Sequence, residues 1–229
     1  MNHIIAKIGI HLRGVGRALG INKLIGQFVD SEKYEEKFSE AMLSQVQEGD
    51  IAWDIGANVG FYTNRLLKRV GGQGRVCAFE PSPGSVQKLM ERFGEHDNIN
   101  IFNYALGEED GEINMLFDEN DPTSVTNKIS LDGGDKVKVM AVDSVILLQG
   151  VPTPNVVKID VEGHELSVIK GMKKVLQNKS LRCVAIEVHF GLLSDRGEKF
   201  APKEIEDVLL LSGFYVDWVD RSHIIALRK

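Results

Sequence analysis

From residue 51 onward, short and almost wholly apolar runs alternate with longer stretches in which apolar side chains recur every three or four positions. The runs predict strands at 51–54, 76–80, 99–104, 156–160, 182–188, 214–219 and 223–228. The periodic stretches predict helices at 60–69, 83–93, 142–148, 164–176 and 202–211, with Pro202 suited to a first helical turn. Strands separated by helices are the mark of βαβ units, so the pattern predicts an α/β fold on a mainly parallel sheet. Between Gly111 and Val142 the alternation breaks. An extra β excursion is expected there, 112–117 and 136–141, around a polar loop holding Asp121, Pro122, Thr123, Ser124 and Thr126.

The start of the chain reads differently. Lys7, Arg13, Arg17 and Lys23 meet no acidic residue before Asp30, while Ile, Leu and Val recur between glycines. This predicts a helical arm over 1–30, packed on the domain or on a second subunit and so compatible with a homodimer. A membrane-surface helix is the less favoured reading, because glycines interrupt the segment. Next, Asp30 or Ser31 followed by Glu32, Glu35 and Glu36 marks a helix start, its acids near the positive end of the macrodipole. That helix is expected to run to about Gln47 and to end at Gly49. The chain of 229 residues thus reads as an arm, 1–30, and one domain, 31–229.

Composition narrows the function classes. The 27 basic and 33 acidic side chains leave a net charge of −6, which gives no broad attraction for nucleic acid. No apolar run approaches the roughly 20 residues needed to span a bilayer. Cys77 and Cys183 both lie inside apolar strand-like runs, which suggests neither a disulfide framework nor a thiolate zinc site; the expected compartment is the cytoplasm.

The sharpest local signal is the turn after the first strand, where Asp54, Gly56, Asn58, Gly60 and Thr63 lead into a helix. Glycines at such a turn permit positive φ and close backbone approach to a ligand, and the helix presents unpaired amides. The spacing D-x-G-x-x-x-G departs from the G-x-G-x-x-G of dinucleotide-binding oxidoreductases. It favours a nucleoside with a short amino-acid tail. The second strand ends in Glu80, followed by Pro81 and Ser82. A carboxylate there can accept from both hydroxyls of a ribose. Asn103 is expected to contact adenine or its neighbouring backbone, and Phe79 or Tyr104 to flank the base.

Two later strand ends carry acids and histidines: Asp160, Glu162 and His164 after one, Glu187 and His189 after the next. Open α/β sheets bind ligands at that edge. His189, or else His164, is expected to accept a proton from an acceptor hydroxyl, with Asp160 or Glu187 orienting the imidazole. Glu165 reads as a first-turn helix acid. In a less favoured alternative, Asp160, Glu187 and His189 hold a divalent metal that acidifies a bound hydroxyl.

The strings DIGANVGFYT at 54–63, AFEPSP at 78–83, NYALG at 103–107, VKIDVEGHE at 157–165 and IEVH at 186–189 together resemble the FkbM family of S-adenosylmethionine-dependent methyltransferases. The resemblance runs in order through residues 40 to 190. It implies the class I methyltransferase fold, a Rossmann-like sandwich whose seven-stranded, mostly parallel sheet has an antiparallel last strand. It also implies S-adenosylmethionine as donor, and O-methylation of sugars or natural products. The alternatives are a non-catalytic S-adenosylmethionine-binding module and an N-methyltransferase. The latter is disfavoured because Ile159-Asp160-Val161-Glu162 stands where an Asn-Pro-Pro-Tyr type string is expected.

Overall fold

A computed structural model describes residues 35–117, 128–130 and 133–229; the expected arm at 1–30 and the tip of the 118–135 loop lie outside these described residues. The chain divides into two compact units, Met1–Glu40 and Ala41–Lys229. In the first, residues 35–40 are helical. In the second, helical geometry ends at residue 43, before the expected Gln47. The Gln45 and Val46 amides bond the carbonyls three residues back, and Asp50 Oδ2 takes the Gln47 amide at 2.7 Å. The Asp50 side chain thus competes successfully with the helix for its last donors.

The strands in chain order are β1 (Ile51–Ile55), β2 (Arg75–Phe79), β3 (Ile99–Phe102), β4 (Ala105–Gly107), β5 (Gly111–Leu116), β6 (Lys128–Ser130), β7 (Asp135–Ala141), β8 (Val156–Ile159), β9 (Cys183–Glu187), β10 (Phe214–Trp218) and β11 (His223–Arg228). Seven form the main sheet in the order β10-β11-β9-β8-β1-β2-β3. Only β11 runs against its neighbours, as the class I arrangement implied. Neighbouring residues of the central strands are buried together: Ala52 with Trp53, Val184 with Ala185 and Ile186, all 0% exposed. Both faces of the sheet are therefore covered, which is why these strands read as continuous apolar runs.

The helices are α1 (Phe61–Val70), α2 (Pro83–Phe93), α3 (Val142–Gln149), α4 (Glu165–Gly171), α5 (Phe190–Asp195) and α6 (Ala201–Leu211). The Ser82 side chain caps α2 by accepting from the Ser85 amide, and Pro83 opens it, so α2 starts where its apolar stripe of Leu89 and Phe93 is aimed inward. Fully buried Leu66 and Leu89 each contribute about 1.5–3 kcal/mol by leaving water. The helix expected over 164–176 stops at Gly171, followed by a 3₁₀ turn at Val175–Gln177. Asp143 accepts from the Lys174 and Val175 amides and so draws the chain away from the helix axis. The six-residue α5 was not foreseen; it is too short to show a period.

The excursion after β3 is larger than two strands. A four-stranded sheet forms in the order β4-β7-β5-β6, with β5 and β7 close to the expected 112–117 and 136–141. The additional β4 and β6 have three residues each, below the length at which alternation is readable.

Candidate functional site

In the main sheet, β2 and β3 lie to one side of β1, and β8 and β9 to the other. The chain order reverses between β1 and β8, and the crevice beyond the carboxyl ends of those strands is where open α/β sheets take ligands. A cleft opens there, lined by both sheets. Its polar lining is Gly56, Asn58, Glu80, Asp160, Glu162 and His164. Phe79, Pro81, Leu106, Ile113 and Met115 supply apolar wall, the last two from β5 of the second sheet.

The turn after β1 is held by backbone bonds. The amides of Gly56 and Ala57 both donate to the Phe79 carbonyl, at 2.9 and 3.1 Å, and the Asp160 amide donates to the Ile55 carbonyl at 3.0 Å. Gly56 has φ +77, and a Cβ there would lie 1.8 Å from the Asp160 carbonyl oxygen. Gly60, at φ +89, would drive a Cβ into Phe93 and Leu89 of α2. The two glycines do adopt positive φ, but the close approach they allow is of protein to protein. Beneath this turn Asp54 is 0% exposed; Thr63 Oγ donates to its Oδ2 at 2.6 Å, and Lys158 Nζ lies 3.3 Å from its Oδ1.

Lys158 is the charged residue that sequence reasoning missed. It is 2% exposed, and its Nζ stands 3.2 Å from Asp160 Oδ2 and donates to the Gly56 carbonyl at 3.0 Å. Burial would lower its pKa, but Asp160 and Asp54 outweigh that and raise it, so it stays cationic. A lysine inside the apolar run Val-Val-Lys-Ile was the available signal, since a buried charge must be paired.

On the β2 side, Glu80 is 6% exposed. Its Oε2 accepts from the Asn58 amide and its Oε1 from the Ser82 amide, both at 2.8 Å. Burial pushes its pKa up to about 7 against the pull of those amides. Among the described residues, Asn58 is one of two non-glycine residues with positive φ, at 48°, the conformation that brings its amide to Glu80. Each carboxylate oxygen keeps a further lone pair for a hydroxyl donor. Asn103 donates to the Glu80 and Pro81 carbonyls at 3.1 and 3.0 Å, so it fastens the β3 end to that loop. Phe79 stacks on Phe102 with centroids 4.9 Å apart, and Tyr104 donates its hydroxyl to Gln149.

On the β8 side, acids surround one histidine. His189 Nδ1 is 2.7 Å from Glu165 Oε1, and its Nε2 is 3.3 Å from Glu162 Oε2, 3.7 Å from Asp160 Oδ1 and 3.9 Å from Glu187 Oε1. Burial would lower its pKa, but the Glu165 hydrogen bond and the charges of Glu162, Glu165 and Asp160 hold it at about 9. His189 is therefore an imidazolium at neutral pH. Its ring is oriented by Glu165, where Asp160 or Glu187 was expected. Burial pushes Glu162 up to about 7, with Asp160, Glu187 and Glu165 adding to the rise and His189 opposing it. Burial likewise raises Asp160, with Glu187 adding to the rise and Lys158 opposing it. Glu162, at φ 49, carries backbone strain of about 1 kcal/mol or more at the cleft wall. His164 behaves oppositely to His189: burial and the nearby Arg196 hold it down at about 4. It lines the cleft as a neutral ring whose buried Nδ1 has no hydrogen-bond partner.

Of the residues expected around a cofactor, Gly56, Asn58, Glu80, Pro81 and Asp160 line the cleft, whereas Asp54, Gly60, Thr63, Ser82 and Asn103 are not part of its lining. Glu187 turns its second oxygen away toward His223 Nε2, 3.6 Å off. The atoms that could share a cation are consequently those of Asp160, Glu162 and His189, within 4.8 Å of one another, in place of the expected set with Glu187. An ion would have to displace the proton on His189 Nε2, the ring nitrogen that faces Glu162.

Comparison with known proteins gives consistent neighbours. The family model described as the Methyltransferase FkbM domain matches residues 54–215. The hexuronic acid methyltransferase AglP of Haloferax volcanii is 35% identical over 161 residues, 69% of this chain and 64% of that protein. The 2-O-methyltransferase NoeI of Sinorhizobium fredii is 23% identical over 158 residues, 61% of this chain and 65% of that protein. The crystal structure of methyltransferase FkbM from Methylobacillus flagellatus superposes with a TM-score of 0.54 at 17% identity, over 82% of this chain and 50% of that one. The chain thus spans about two thirds or less of the length of these relatives.

Proposed function

The chain belongs to the FkbM methyltransferase family, and from that premise we propose that it is an S-adenosylmethionine-dependent O-methyltransferase acting on a hydroxyl of a saccharide or other small molecule. The observation that carries the reading is the cleft at the β1–β8 reversal, where the acid ending β2 meets the acids following β8. The name of one relative, a hexuronic acid methyltransferase, supports a sugar as the acceptor class, and that of another, a 2-O-methyltransferase, supports transfer to oxygen.

S-adenosylmethionine supplies an electrophilic methyl group when bound. Glu80 is the residue we assign to the ribose hydroxyls, because it is buried, faces the cleft and is already oriented by two amides. Phe79, Pro81, Leu106, Ile113 and Met115 offer the apolar surface a purine needs. Direct displacement gains most from alignment of the acceptor oxygen, and Asp160, Glu162 and His164 are the polar groups available to hold it. Glu162, poised at about 7 on the cleft wall, takes the hydroxyl proton near neutral pH. His189 steadies the acids beside it and is not the proton acceptor. Cys77 and Cys183 are free and buried, which supports the cytoplasm as the compartment; among the described residues no helix is long and apolar enough to cross a membrane.

The test is calorimetric titration of S-adenosylmethionine and S-adenosylhomocysteine into the wild type and Glu80→Ala. Micromolar binding, weakened about tenfold or more by the substitution, is expected. Absence of binding to the wild type overturns the reading.

A further inference from the structure

One acid of the β8 cluster has no part in the steps above. Glu165 opens α4, where an acid is ordinarily an exposed partner of the helix macrodipole, yet it is 0% exposed. Its Oε1 accepts from the Gly163 amide at 2.9 Å and pairs with His189 Nδ1 at 2.7 Å, while its Oε2 has no hydrogen-bond partner. Burying an ionised carboxylate with an orphan oxygen is costly. A glutamine would keep both bonds through its carbonyl oxygen but would remove the charge that pairs with the imidazole and would bury an unpartnered amide group. The acid at this position is therefore matched to a cationic imidazole. With Nδ1 pinned, the other ring nitrogen is left 3.3 Å from Glu162 and 3.7 Å from Asp160, both on the cleft wall.

We propose that Glu165 is the positioning residue of this site: it holds His189 Nδ1 so that Nε2 faces Glu162, and thereby sets the direction in which the Glu162 carboxylate meets an acceptor hydroxyl. The acceptor part rests on the methyl-transfer reading; the hold on the ring does not. The arrangement is that of a base oriented by a second group that is itself oriented by a third.

The experiment uses the full chain labelled with ¹⁵N-histidine, with the Nδ1-bound proton of His189 assigned by its loss in His189→Gln. The wild type is expected to show this proton far downfield and in slow exchange. Glu165→Gln should move it upfield, because a neutral amide accepts more weakly than a carboxylate, and Glu165→Ala should abolish it. If the alanine variant does not fold, the glutamine variant decides alone. Its melting temperature should fall modestly at neutral pH, because the charge that helps to raise His189 is lost. Binding of S-adenosylhomocysteine should stay within about twofold, since Glu165 does not reach the ribose side of the cleft. With S-adenosylmethionine and a panel of uronic acid glycosides, kcat should fall about tenfold or more while KM for the donor holds, with partial rescue by Glu165→Asp. A His189 proton that does not move in Glu165→Gln overturns the proposal, as does an unchanged kcat. Failure of S-adenosylhomocysteine to bind the wild type would sink the methyl-transfer reading instead, and the spectrum would still decide whether Glu165 holds the ring.

Discussion

The two halves of the cleft are built from different materials. At the ends of β1 and β2 the work is done by backbone: Gly56 pressed on the Asp160 carbonyl, the amides of Gly56 and Ala57 on Phe79, and the Asn58 and Ser82 amides on Glu80. At the ends of β8 and β9 it is done by side-chain charge, with Asp160, Glu162, Glu165 and Glu187 gathered around His189 and Lys158. In the backbone-built half the amides do not titrate, and Glu80, raised to about 7, is the group there that responds to pH. A charge-built half is set by the protonation of its members, which is what a step that moves a proton requires.

The largest break in this comparison comes from the residue joining the halves. Lys158→Met leaves buried Asp54 and acid Asp160 without their cation, and should cost about 3–5 kcal/mol in urea denaturation. Adding Asp54→Asn should return part of that loss. The next largest effect belongs to the backbone half. Gly56→Ala places a methyl on a carbonyl that β8 holds in place and should cost roughly 2–4 kcal/mol, with a matching loss of S-adenosylhomocysteine affinity by calorimetry. Gly60→Ala should cost less, because its Cβ meets side-chain atoms of Phe93 and Leu89 that can shift.

A sharper contrast lies between the two histidines. His189 is raised to about 9 in the fold, so its contribution is complete below the ordinary histidine value of about 6.5 and is lost as pH rises toward 9. His164 is lowered to about 4, so its contribution is complete above about 6.5 and is lost as pH falls toward 4. Relative to the wild type, His189→Gln should remove about 2 kcal/mol of pH-dependent stability from the upper interval, and His164→Gln a similar amount from the lower. Glu162 titrates beside them at about 7, so the readout is the difference between variant and wild type at each pH. The smallest effect is expected for Asn103→Ala. It removes two hydrogen bonds to carbonyls of the Glu80–Pro81 loop and should cost about 1 kcal/mol in thermal melting.

The same division explains what could be read in advance. All seven main-sheet strands lie where the apolar runs placed them, and the central ones, covered on both faces, leave the most continuous mark on the sequence. Gly56, Glu80 and Asp160 were legible as cleft residues because strand ends in such a sheet point there by topology. Glu165 and Lys158 were not. The first sits where helix acids are usually solvated, and the second lies inside an apolar strand. Asp54 and Thr63, read as ligand contacts from their place in the motif, proved to face each other and Lys158.

The sequence by itself determined the main sheet, most of the helices around it and the family, and it pointed to the strand ends where the cleft opens, because those follow from local periodicity and from turn residues a few positions apart. Only the tertiary structure decided which acid holds His189, which histidine carries a proton and which cation spans the two halves. Those outcomes depend on distances of three to four ångströms between side chains brought together from separate strands, and on how much water the fold leaves around them.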